Sequence, residues 1–220
     1  MLQSSPGITA NSAVSCSERS DQMGFLTDYA DAYIEKDGYR YKLDLAYDTV
    51  LNVKRMFQEK LLDDADMLVE ALHIFGLSDR EIGRLNWKDR MDLLEQIHKE
   101  KLVGKQRPRV GKQQILFDFE EDGEYIYASF MQAYGIDLID QQGNLPWHRF
   151  IALFQGLPEK TKIKEIMRIR GMELPAPTKT NRKEIQNLME LKAYYALPVK
   201  GRGGHAGLDA LFSALEQAAT

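Results

Sequence analysis

The sequence predicts a mainly α-helical protein, a compact bundle of about six to seven helices with a small N-terminal β-hairpin. Three observations predict it. Apolar residues recur at helical spacing over most of the chain from Val50 onward. Helix-start residues (Ser, Asp, Asn, Pro) and glycine stops punctuate that pattern again and again. Strict alternation of apolar and polar residues occurs once, around Asp37 and Gly38.

Composition sets the outer limits. A chain of 220 residues, 44% hydrophobic and carrying 10 Tyr and 9 Phe, can bury a substantial core in one domain or two small ones. A net charge of -4 argues against a general nucleic-acid binder, which needs a basic face. The single cysteine, Cys16, has no partner for an internal disulfide, and a reducing cytoplasm is the expected setting. The opening residues lack the charged start and apolar run of a secretory signal. No segment has the roughly 18 apolar residues of a membrane span. Neither export by that route nor membrane insertion is expected.

The elements follow in order. Residues 1–24 are small and polar and read as a disordered tail. Residues 25–104 hold the hairpin and the N-terminal helices. In AYIEKDGYRYKLDL, Asp37 and Gly38 supply the turn, and Tyr33, Tyr39, Tyr41, Leu43 and Leu45 the strand positions. A lone hairpin is marginal in water, so it should lie against helices. Asp48 is placed to cap a helix with Val50, Val53, Phe57 and Leu61 on one face. Asp63 or Asp64 starts the next, with Ala65, Leu68, Val69 and Leu72 inward and Gly76 as its stop. Ser78 and Glu81 form a capping box for a short turn, and Asn86 caps a helix lined by Trp87, Met91, Leu94 and His98.

A basic linker, residues 105–116, separates this part from a central helical block, 117–198. The linker lacks aromatic interleaving and is followed by the acids Asp118, Glu120, Glu121, Asp122 and Glu124, so nucleic acid is not expected there either. Asp118 with Glu121 suggests a second capping box. The helix it would start carries Phe119, Ile126, Phe130 and Tyr134 on one face, with Tyr127 and Met131 beside it, and ends at Gly135. Pro146 opens a helix with Trp147, Phe150, Ile151 and Phe154 on one side. Pro158 is expected to open a third, with Ile163, Ile166 and Met167 inward and Gly171 at its end. Short connections should make these three helices neighbours. Asn181 and Glu184 start a further helix with the stripe Ile185, Leu188, Met189, Lys192 and Tyr195. A glycine-rich linker, 199–207, and a short amphipathic helix, 208–220, complete the chain.

No catalytic, cofactor or metal motif stands out. His73 and His98 lack a second ligand at the i+3 or i+4 spacing of a zinc helix, and Asp63, Asp64 and Asp66 fit a helix's first turn, where the macrodipole favours acids. The glycines of KGRGGHAG follow no strand and precede no Gly-Lys-Ser/Thr. No Ser or Cys has a recognisable paired base. The expectation is therefore no enzyme, no cofactor and no metal.

Three runs carry a family likeness: ILFDFEEDGEYIYASFMQAYGIDL, PWHRFIALFQGLP and IKEIMRIRGMEL. Together they resemble the phage gene-product-fifteen family of siphophage and prophage tail modules, over about Val50 to Leu174 and most strongly over Ile115 to Leu174. Phe117 stands where that family usually has Tyr, and Trp147-His148 replaces a commoner Trp pair. The resemblance implies a tail assembly protein of the bacterial cytoplasm without enzymatic activity. Its implied job is that of a chaperone, binding the tape measure protein before the tail tube polymerises, alongside neighbouring tail assembly proteins. The alternative is a structural or tail-completion component retained in the virion. Such a chaperone needs an adaptable apolar surface for helices. The candidate residues are Met131, Phe150, Phe154, Met167 and Met172, with Leu211, Phe212 and Leu215 of the last helix, which would contact a partner or a second copy in a homo-oligomer.

Overall fold

The hairpin shows most directly how local sequence becomes local structure. The computed structural model describes residues 32–59, 62–103 and 115–198. Asp37 and Gly38 have φ of 52° and 78°, the doubly positive pair of a turn whose twist matches that of the strands it joins. They connect β1 (Tyr33–Lys36) to β2 (Tyr39–Lys42), antiparallel, with Ile34 opposite Tyr41. That pair is buried and anchors the sheet in the core. The remaining tyrosines stay outside under cations, Arg40 over Tyr33 at 4.3 Å and Arg84 over Tyr39 at 5.3 Å.

Eight α-helices follow among the described residues: α1 (Tyr47–Glu59), α2 (Asp64–Ile74), α3 (Asp79–Ile82), α4 (Trp87–Ile97), α5 (Gly123–Tyr134), α6 (Trp147–Gln155), α7 (Lys162–Gly171) and α8 (Arg182–Tyr194). A π-helical turn, His98–Leu102, extends α4. Several starts are the expected ones. Asp63 accepts from the N–H groups of Ala65 and Asp66, Asn86 from that of Asp89, and Ser78 and Glu81 form their reciprocal box. Gly76 stops α2 with φ of 95°.

Other starts differ, each for a local reason. Asp48 lies inside the first turn of α1 and accepts instead from Gly143 N–H at 2.9 Å, because Tyr47 N–H is tied to Leu145 O and the helix begins two residues before the position that a cap at Asp48 implies. Asp118 closes a turn on Glu120 and Glu121 N–H rather than a helix, so α5 begins at Gly123 and Phe119 packs from the turn. Pro158 heads a turn whose carbonyl holds both Thr161 N–H and Thr161 Oγ1, which delays α7 to Lys162. On α4 the buried residues are Leu93, Leu94 and Ile97; packing falls on its second half, and Trp87 in the first turn is left 48% exposed.

α1, α2 and α4 pack in succession, and α6 lies against both α1 and the π turn. Backbone pairing reinforces the junction, since Ala46 bridges Pro146 and Trp147 N–H donates to Leu45 O at 2.8 Å. α5 packs on α7, and α7 on α8. The buried side chains form one core cluster running from Ile34 to Met167, so the N-terminal helices and the central block share an interior. Phe150 is its aromatic hub, stacked on Tyr47 (4.9 Å) and Phe130 (5.2 Å) and touching Phe119, Trp147 and Phe154.

Among the described residues no helix is long and apolar enough to cross a membrane. The expected tail, the greater part of the basic linker, Cys16, the glycine-rich linker and the last amphipathic helix, with Leu211, Phe212 and Leu215, lie outside the described residues.

Candidate partner-binding surface

Two of the five acids after the basic linker are interior, and they organise the loop that leads into α5. Asp122 meets Arg170 of α7 in a bidentate pair at 2.6 and 2.9 Å. Asp122 also accepts from Asp118 N–H at 3.0 Å, and Arg170 donates to Leu116 O and to Tyr195 O just beyond α8. Asp118 lies 3.9 Å from Lys54 of α1, both buried, and Lys54 sits over the Phe119 ring. One chain of charges therefore joins α1, the loop, α7 and the end of α8.

Phe119 of that loop lines an apolar cleft of about 410 Å³. Tyr47 and Leu51 of α1 form one wall, Ile126 and Tyr127 of α5 another, and Leu138 and Ile139 the rim; Phe119 and Phe150 lie at its inner side, with Gly123 and Glu124 completing the lining. Tyr47 donates its O–H to Leu138 O at 2.6 Å, and burial pushes this phenol up to about 12, with help from the charges of Asp48 and Asp137. Tyr127 donates to Asp137 at 3.0 Å, which raises its pKa as well. Ile139 stands 64% exposed at the edge. Met131, one turn along α5 from Tyr127, is also exposed.

A second apolar edge lies at α8, which has no buried residue. Its stripe Ile185, Leu188, Lys192 and Tyr195 is half-buried, whereas Met189, Leu191 and Tyr194 are exposed, as are Met172 and Leu174 before it. The helix is held mainly by polar ties. Lys192 Nζ donates to the carbonyls of Ile169 (3.0 Å), Arg170 (2.6 Å) and Met172 (2.8 Å) at the C-terminus of α7.

The candidate surface residues thus divide. Met131 and Met172 are exposed, on different elements. Phe154 and Met167 are interior, because the apolar stripes of α6 and α7 supply the core first, and they present no surface. Phe150 is also buried but touches the cleft from within. The cleft residues not singled out from sequence as surface candidates include Leu51 and Tyr127 of the walls and Leu138 and Ile139 of the rim. Tyr127 had a readable signal, its place beside the main stripe of α5. Ile139 lies in a turn after Gly135, where no periodicity applies.

The described residues contain no group of three or more His, Cys, Asp or Glu able to hold a metal ion. His73 is used locally, with Nδ1 3.0 Å from Leu77 O and Nε2 3.2 Å from Asp79. A helical protein with a two-stranded hairpin and an apolar cleft between helices is a class defined by shape and surface alone. Comparison makes it particular: the family model described as Bacteriophage Gp15 protein matches residues 26–197, and the chain belongs to that family. Searches of the curated proteins and of the solved structures give no match.

Proposed function

We propose that this phage protein is a tail assembly chaperone, which holds an amphipathic helix of the tape measure protein in the host cytoplasm before the tail tube polymerises. The observation that carries the reading is the apolar cleft of about 410 Å³ between α1, α5 and α6, with Ile139 exposed at its edge. A helix laid along such a groove inserts side chains at i, i+3 or i+4 and i+7 between aromatic and aliphatic walls, here Tyr47, Tyr127, Leu51 and Ile139. The cleft is within the size range of preformed small-ligand sites, but its walls offer few polar groups to orient a substrate. That balance favours a partner recognised by apolar shape, and the reading assigns the protein no chemistry of its own.

Co-expression with the tape measure protein tests it. The expected result is a soluble tape measure that co-purifies with this protein, and weaker co-purification with Ile139→Asp. A tape measure whose solubility is unchanged, and which does not co-purify, overturns the reading. Mass spectrometry of purified particles is a second check, since a chaperone leaves before completion and should be absent from them.

A further inference from the structure

Four carboxylates belong to the lining of the cleft or stand next to lining residues in the chain. Glu124 lines the cleft. Asp137 accepts from the Tyr127 hydroxyl, and the exposed Asp140 directly follows the lining residue Ile139, its N–H on Asp137. Asp48 directly follows Tyr47 of the opposite wall. Two of the four have work within the fold: Asp48 accepts from Gly143 N–H, and Asp137 from the N–H groups of Ile139 and Asp140. Glu124 and Asp140 accept no hydrogen bond from a described residue.

Among the described residues none of the four is within salt-bridge distance of a Lys, Arg or His, and the lining of the cleft includes no basic residue. The neighbouring acids behave otherwise, since Asp118 and Asp122 each face a cation in the interior. Like charges gathered around apolar walls create a negative potential, which a partner relieves by bringing positive charge with its apolar face. The net charge of the whole chain, -4, has the same sign.

We propose that the cleft takes the apolar side of a helix whose flanks carry lysine and arginine, with its apolar side chains between Tyr47, Leu51, Tyr127 and Ile139 and its cations against Glu124 and Asp140. The proposal rests on the helix-holding reading above and narrows it to partner segments that are both amphipathic and basic.

The test uses the full chain and two synthetic helical peptides with the same leucine and phenylalanine stripe, one flanked by lysines and the other by glutamates. Fluorescence anisotropy of labelled peptides gives both affinities at low and high salt. The lysine peptide is expected to bind about tenfold more tightly at low salt, with the gap closing as salt screens the rim. In the double variant Glu124→Gln/Asp140→Asn the preference should fall to about twofold. Both substitutions are at surface carboxylates, and circular dichroism checks that the fold is kept.

Equal binding of the two peptides, binding of neither, or a preference that survives in the double variant overturns the proposal. So does a parent chain that self-associates and becomes monomeric with Ile139→Asp, since a second copy would then be the occupant. The two readings fail separately. A tape measure that co-purifies equally with parent and double variant removes the charge rule and leaves the chaperone. A peptide preference without tape measure binding does the reverse.

Discussion

Replacing Asp122 with alanine should unfold this protein far more readily than any surface change. The carboxylate is almost completely enclosed, its side chain only 1% exposed against 10% for Arg170. Its loss removes two charge-assisted bonds, at 2.6 and 2.9 Å, and the acceptor of Asp118 N–H. Arg170 would keep the carbonyls of Leu116 and Tyr195 but no opposing charge. Breaking one side of a buried pair costs about 3–5 kcal/mol. With a urea slope of about 2 kcal/mol per molar, the unfolding midpoint should fall by about 2 M. Chemical denaturation followed by circular dichroism measures this directly. The double variant Asp122→Leu/Arg170→Met removes both charges and should recover much of the loss, because no orphaned charge is left. A midpoint for the single variant within about 0.3 M of the parent would refute the argument, as that corresponds to under about 1 kcal/mol.

Three further predictions follow from individual contacts. Gly76→Ala should cost about 1–3 kcal/mol although there is room for the methyl group, because φ is 95° and the nearest atom, Asp44 N, lies 3.5 Å away; thermal or urea unfolding checks it. Tyr47 should ionise late in the folded protein, at about 12. Since the folded pKa is raised, its stabilisation is full below pH of about 10, the unfolded value, and is lost as pH rises from there through about 12; an alkaline absorbance titration set against unfolding reports both. Lys192→Met keeps the side-chain stem but removes three bonds to the end of α7, so amides of α8 should exchange about tenfold faster while those of α1 are unchanged; equal exchange in α8 would count against the polar attachment.

Much of the fold was legible wherever one local rule decided the outcome. Asp37-Gly38 allows few other turns, Asp63 and Asn86 have no competing partner, and Ile163 and Ile166 face inward because the helical period leaves no better arrangement. Errors arose where a distant residue outbid the local one. Asp48 accepts from Gly143 and Asp118 lies beside Lys54, and neither partner can be inferred from spacing along the chain; the same holds for Arg170, the partner of Asp122. The candidate surface suffered similarly. Aromatic and methionine stripes mark interior and interface alike, so Phe154 and Met167 could not be distinguished from Met131 before packing assigned them. The cleft itself comes from four separate stretches of chain, at Tyr47 and Leu51, from Phe119 to Tyr127, at Leu138 and Ile139, and at Phe150, and has no signature in any one of them.

Phe150 gives the cleft a property that bears on how its preferences change over time. The same ring stacks between Tyr47 and Phe130 in the core and also lines the groove, so substitutions that reshape this inner wall also disturb packing that the fold requires. Glu124 and Ile139 carry no such double duty, one a first-turn residue and the other mostly exposed. On the proposed helix-holding reading, variation that retunes partner choice is cheapest at the rim, and related chains with different partners should differ there while keeping the same aromatic floor.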